Sequence, residues 1–164
     1  MEAQFVGIPQ PVYGSGGVFK RSSDYLYDGT SVLFGRKGTI DQPLIVTGKF
    51  WTVDTMFYSE LSAEICAEYV HSQALLFPFD SLSTNTALPS MTQEDLNELA
   101  FVIPPYQEQL AVANEISKQN AKFDLLTEKT VKQMDLMKER KIALISAAVT
   151  GKIDVRGWQS EGLI

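Results

Sequence analysis

The chain has 164 residues, 45% of them apolar, one cysteine and a formal net charge of −6. That apolar content supports a folded domain and excludes wholesale disorder, while one thiol excludes an internal disulfide or a multi-cysteine metal site. No run of 18 apolar residues and no charged-then-apolar leader is present, so a soluble, cytoplasmic protein without a membrane partner is expected.

Residues 1–60 alternate short apolar runs with turn residues, the texture of strands and loops. Strands are predicted at "SVLFG" (31–35), "PLIV" (43–46), "FWTV" (50–53) and "TMFYS" (55–59), with Gly35, Gly38 and Gly48 marking the turns. Helical spacing begins at "LSAEICAEYVHSQALL", with Ser62 as the expected cap and Ile65, Tyr69, Val70 and Leu76 on one face. Cys66 falls within it and reads as a buried structural thiol; His71 reads as a half-buried or solvated side chain, with no nucleophile or acid patterned beside it. "SLSTNTALPSM" (81–91) is a polar loop. Thr92 then caps a helix with Asp95 three residues on, a near-capping box. "FVIPP" reads as a short strand closed by prolines.

From Gln107 to Thr150 there is neither proline nor glycine. One continuous helix of that length would run roughly 65 Å, too long to pack only on a domain of about a hundred residues. Ala113, Ile116, Asn120, Phe123, Thr127, Thr130, Met134, Met137, Lys141, Leu144 and Ala148 recur at alternating spacings of three and four. This is a heptad seam, tinged with polar residues, that calls for a partner helix from a second copy or a second repeat. Ile116, Phe123, Met134, Met137 and Leu144 are the expected pairing residues. Gly151 is the expected C-terminal cap, and "KIDVRGW" reads as a tail with strand character.

Charge divides unevenly at Tyr106. Residues 1–106 hold five Lys/Arg against twelve Asp/Glu, a net −7; residues 107–164 hold nine against eight, a net +1. Neither part is a general basic footprint, so any nucleic-acid contact must be a local patch or must borrow charge from other subunits. The candidate patch lies in "YGSGGVFKRSSDYLYDGTSVLFGRKGTI" (13–40), where glycine turns accompany Lys20-Arg21 and Arg36-Lys37. No histidine, cysteine or carboxylate set has metal-ligand spacing, and "GRKG" lacks the longer pattern of a nucleotide phosphate loop. No catalytic residue, metal or cofactor is expected; the chain reads as a binding and assembly module.

Six fragments in order, "YGSGGVF", "VLFGRKGTI", "FWTVDTMFY", "NTALPSMTQEDL", "IPPYQEQ" and "AAVTGKIDVRGW", resemble the DNA-specificity (S) subunits of type I restriction–modification systems. The resemblance implies an α+β fold: a small mixed or antiparallel sheet forming a target recognition domain (1–106), a long helix pairing as an antiparallel coiled coil (107–150), and a short tail (151–164). It implies one half of a specificity subunit, non-enzymatic, with double-stranded DNA, methyltransferase subunits and restriction subunits as partners, pairing as a homodimer or with another half-subunit. Only twelve residues precede Tyr13, where members of the family carry a further strand and turn.

On this reading Lys20, Arg21, Arg36 and Lys37 would meet phosphate, or Arg36 would read guanine through a bidentate pair. Tyr13, Ser15, Thr39, Ser83, Thr84 and Asn85 would serve base edges or the backbone, although each alone also suits a solvated loop. The alternative expectation is a truncated specificity remnant, or a coiled-coil scaffold or inhibitor that binds the methyltransferase without reading DNA.

Overall fold

Apolar alternation through residues 10–58 yields five strands of one sheet, β1 (Gln10–Gly14), β2 (Gly17–Ser22), β3 (Tyr27–Gly35), β4 (Leu44–Thr52) and β5 (Met56–Tyr58). Their order is β2-β1-β4-β3-β5 in the computed structural model, which describes residues 8–82 and 89–157. Neighbours are antiparallel except β1 and β4, which run parallel. The two runs expected on either side of Gly48 are a single strand. Gly48 has φ +95°, yet it stays in register opposite Gly29. The β3–β4 ladder continues on either side of Gly48, from Phe50 to Leu44, and carries the strand through a residue that reads locally as a turn.

The sheet buries both faces. Leu33, Val46, Phe50 and Met56 form one cluster, edged by Tyr13, Tyr27, Leu44 and Tyr58. Val32, Phe34, Ile40, Val70, Ala74, Phe79 and Met91 form the other. Alternate residues of β3 thus feed opposite clusters, as the pleat requires. The second cluster is covered by α1 (Ala67–Ala74), joined by Phe79 of the short α2 (Phe79–Leu82). α3 (Gln93–Asn97) has the capping box its sequence announces. Asp95 N–H bonds the Thr92 hydroxyl at 3.1 Å and Thr92 N–H bonds the Asp95 carboxylate at 2.9 Å. Those bonds hold the Asp95 carboxyl below its ordinary range.

Three local expectations fail for non-local reasons. Helix α1 begins at Ala67 behind Cys66, which makes no side-chain cap, and Ser62 lies outside it. Leu76 is 83% exposed rather than on the apolar face. "FVIPP" forms no strand, because side chains of α1 take its backbone bonds. Val102 N–H donates to Gln73 Oε1 (3.0 Å), and the Val102 carbonyl accepts from Gln73 Nε2 (2.9 Å) and the Tyr69 hydroxyl (3.1 Å). Residues 152–157, the described part of the tail, likewise show bends and a turn and no strand. His71 is half-buried and donates from Nε2 to the Pro43 carbonyl at 3.0 Å.

α4 (Tyr106–Val149) runs 44 residues and ends in a Schellman pair, Gly151 N–H to the Ala148 carbonyl and Lys152 N–H to that of Ala147. The chain divides after Glu115 into two compact units. In the first, the opening turns of α4 bury Gln109 and Ala113. In the second, Phe123 (65% exposed), Met134, Met137 and Leu144 stand open to solvent, as do Leu126, Leu136, Ile142 and Ile145. Among the described residues no helix is long and apolar enough to cross a membrane.

Gln109 is 1% exposed and spends its whole amide on backbone. Its Oε1 accepts from Cys66 N–H (2.9 Å), and its Nε2 donates to the carbonyls of Glu64 (3.1 Å) and Pro104 (2.8 Å). Cys66 is buried beside it, and burial pushes its thiol above the ordinary value, helped by the Glu68 carboxylate 3.2 Å from Sγ. Gln109→Leu leaves three backbone groups without their partner, the buried Cys66 N–H among them, and should cost about 2–4 kcal/mol in denaturant unfolding. The only thiol in the chain reports the same event. Cys66 should label slowly in the wild-type protein and markedly faster in Gln109→Leu; equal rates would mean the amide is not what closes this joint.

Candidate nucleic-acid interface

Three turns meet where the curled sheet brings the end of β3 to the end of β4, the sheet end. The first is the β1–β2 hairpin turn, in which Ser15-Gly16 is closed by the Gly14–Gly17 pair. The second is the segment Arg36–Thr39 leaving β3. The third is Val53–Thr55 between β4 and β5. Backbone bonds lock them together. Arg36 N–H donates to the Thr55 carbonyl at 2.7 Å, Val53 N–H to that of Tyr13 at 2.9 Å, and Met56 N–H to that of Val53 at 3.1 Å. A fourth segment closes the group, with Gly38 N–H on the Pro89 carbonyl (3.0 Å), Met91 N–H on that of Arg36 (3.0 Å), and Lys37 bridged to Ser90. The hairpin turn touches the Arg36–Thr39 segment directly: Ser15 Oγ lies 3.1 Å from where a Cβ on Gly38 would stand.

The strand pleat separates cations that are neighbours in sequence. Lys20 pairs with Val12 across β1–β2, and Val12 pairs with Trp51 across β1–β4, so Lys20 and Trp51 flank buried Val12 on one face. Arg21 takes the opposite face, and its Nη1 donates to the Pro9 carbonyl at 3.1 Å. Both belong to the edge strand β2. Lys20 shares its groove with Asp24 and Asp54. Arg36 and Lys37 are both exposed at the sheet end. The Arg36 guanidinium sits 6.0 Å from the Phe57 ring centre and donates from Nη1 to the Asp54 carbonyl at 3.3 Å. No group of three His, Cys, Asp or Glu that could hold a metal occurs among the described residues.

Comparison with known proteins bears on what this end of the sheet is for. Residues 2–143 match the family model described as "Type I restriction modification DNA specificity domain". The chain belongs to this family. Its fold is similar to that of the type I restriction–modification system S subunit from M. genitalium, with a TM-score of 0.54 and 17% identity over 78% of this chain. The likeness covers 37% of that subunit, so this chain spans well under half its length. No curated protein matches. The recognition domain followed by one long helix, expected from the six ordered fragments, is the architecture found, and the family is non-catalytic.

Within the specificity domain, the sequence-derived site residues separate into groups. Ser15, Arg36, Lys37 and Thr39 come together at the sheet end. Tyr13 is half-buried and lays its ring edge-on against Phe50, with centroids 6.2 Å apart, so it braces the core beneath them. Lys20 and Arg21 stand on the hairpin strand, on opposite faces. Ser83, Thr84 and Asn85 lie outside the described residues. Sequence reasoning missed Asp54, Thr55, Phe57 and Ser90, which shape the Arg36–Lys37 segment. A clue was present in "TVDTM", two polar residues between apolar runs, but only the strand register shows that this turn abuts Arg36.

The close approach that forms the segment is at Gly35. A Cβ there would stand 2.2 Å from the Thr39 carbonyl oxygen and 2.8 Å from Ile40 Cα. Backbone atoms cannot swing aside as a flexible side chain can. Gly35→Ala should therefore cost about 1–3 kcal/mol by overpacking. It should also shift the amide resonances of Arg36–Thr39 and Thr55 together. A stability unchanged in a thermal melt would show that the turn has slack the geometry does not reveal.

Proposed function

We propose that this chain is a DNA-sequence recognition module of a type I restriction–modification system. It directs methyltransferase and restriction subunits to one part of a bipartite double-stranded target. The observation that carries the reading is the convergence of Arg36, Lys37, Ser15 and Thr39 on hydrogen-bonded turns in a chain of the specificity-domain family. Cations held on rigid turns can be aimed at base edges, which mobile loop cations do less well. The acidic balance of residues 1–106 suits a division of labour. Local contacts choose the sequence, and the methyltransferase supplies much of the surface that attracts phosphate.

The test is selection of bound duplexes from a random pool by the protein co-assembled with its methyltransferase. Arg36→Ala should cost about 1–3 kcal/mol and relax preference at one base position. Lys37→Ala should weaken binding to all sequences and lower the salt slope by about one. Arg36→Ala and Lys37→Ala together leaving affinity unchanged would remove the sheet end from the interface.

The exposed seam of α4 supports a second element of the proposal, pairing with the same helix of a second copy, antiparallel. Apolar side chains at Ile116, Phe123, Met134, Met137 and Leu144 stand in water on an isolated helix, an arrangement that association relieves. Light scattering at tens of micromolar should give a dimer mass, and Phe123→Asp or Met137→Asp should move it toward monomer. Selected sites should then be interrupted palindromes. A monomer mass for the wild-type chain, or two unlike half-sites, would count against self-pairing.

A further inference from the structure

We infer that Asp54 is a specificity-determining residue, whose carboxylate accepts a hydrogen bond from the exocyclic amine of cytosine while Arg36 beside it donates to the paired guanine. The inference rests on the sheet end being the DNA-reading surface and deepens that reading.

The two residues come from different turns but are held as neighbours. Arg36 Nη1 reaches the backbone carbonyl of Asp54 at 3.3 Å, and Arg36 N–H is fixed to the carbonyl of the next residue, Thr55, at 2.7 Å. Asp54 is exposed at the tip of a turn closed by Met56 N–H on the Val53 carbonyl at 3.1 Å. It rims the groove along the hairpin turn Gly14–Phe19 and also the groove holding Lys20 and Trp51. The Arg36 guanidinium thus rests on the backbone of a residue that also exposes a carboxylate, and main-chain bonds tie the two segments together.

An exposed carboxylate between cations is a liability on a surface that meets a polyanion, because it repels every phosphate it faces. It becomes useful only where it meets a hydrogen-bond donor. In the major groove a G·C pair offers two acceptors, guanine N7 and O6, followed by one donor, the cytosine N4 amine. Arginine matches the acceptors and aspartate matches the donor. The Arg36–Asp54 pair has that order of complements. It also discriminates: any base that turns an acceptor toward Asp54 sets two electron-rich oxygens against each other.

The experiment is base-preference selection with the full chain and its methyltransferase, comparing wild type, Arg36→Ala, Asp54→Ala and Asp24→Ala. Asp24 carries the same charge in one of the grooves that Asp54 rims and serves as the control for general repulsion. Wild type should select G·C at the position Arg36 governs. Asp54→Ala should cut discrimination at that same base pair about tenfold, with affinity for non-cognate DNA held or raised. Asp24→Ala should alter affinity evenly across sequences and leave the preference intact. If Arg36→Ala relaxes a base position and Asp54→Ala does not, or if both acid variants raise affinity evenly, the inference is overturned and the DNA-reading surface stands. If Arg36→Ala changes neither affinity nor preference, the surface itself is misassigned and the inference falls with it.

Discussion

The joint made by Gln109 is the contact on which the first unit of the structure turns. One buried amide answers three backbone groups, at Glu64, Cys66 and Pro104, each from a segment with no regular partner of its own. Backbone groups left unpaired away from water are costly, and a side chain that answers three of them at once fixes two segments against α4 in one geometry. Residues 64–66 lead into α1, which covers one face of the sheet; Pro104 and Pro105 lead into α4. The Gln73–Val102 pair repeats the device two turns further along α1, again with an amide side chain in place of a strand partner. An irregular stretch of chain is thereby held as firmly as a strand would be.

At the opposite extreme, the sheet end is held mainly by main-chain bonds. Four segments distant in sequence exchange main-chain bonds there, and the side chains they present are left for other work. The balance of charge follows the same logic. Five cations among twelve acids cannot create a broad positive field over residues 1–106, but two on adjacent residues of a locked turn can create a local one. Phe57 beneath the Arg36 guanidinium adds a cation–π contact that limits its wandering.

The second unit is a different kind of object. Residues 116–149 are helical throughout, and their large apolar side chains are exposed. A helix gains most of its stability from packing one face, and among the described residues of this unit the large apolar side chains of α4 stay exposed. Thr130 and Thr150 return their hydroxyls to carbonyls four residues back, and Lys138 pairs with Asp135, so these polar side chains find their partners locally.

The features legible in the sequence are those whose causes lie within a few residues. The Thr92–Asp95 box, the long uninterrupted helix and the Gly151 cap depend on neighbours at spacings of three to five, and each appears where it was read. The strand texture of residues 10–58 was legible for the same reason, since alternation is local, and the ordered fragments were enough to point to the family. Tertiary structure decided everything that needed a distant partner. Gly48 continues a strand because β3 pairs with β4 before and after it. Ser62 caps nothing because the Cys66 N–H is answered 43 residues away, by Gln109. Lys20 and Arg21 fall on opposite faces because β2 is paired, and Asp54 stands beside Arg36 because β5 returns along β3. Local pattern specifies which backbone shape each segment prefers. Only the register between segments, set when the two faces of the sheet bury their apolar sides together, specifies which side chains share a site.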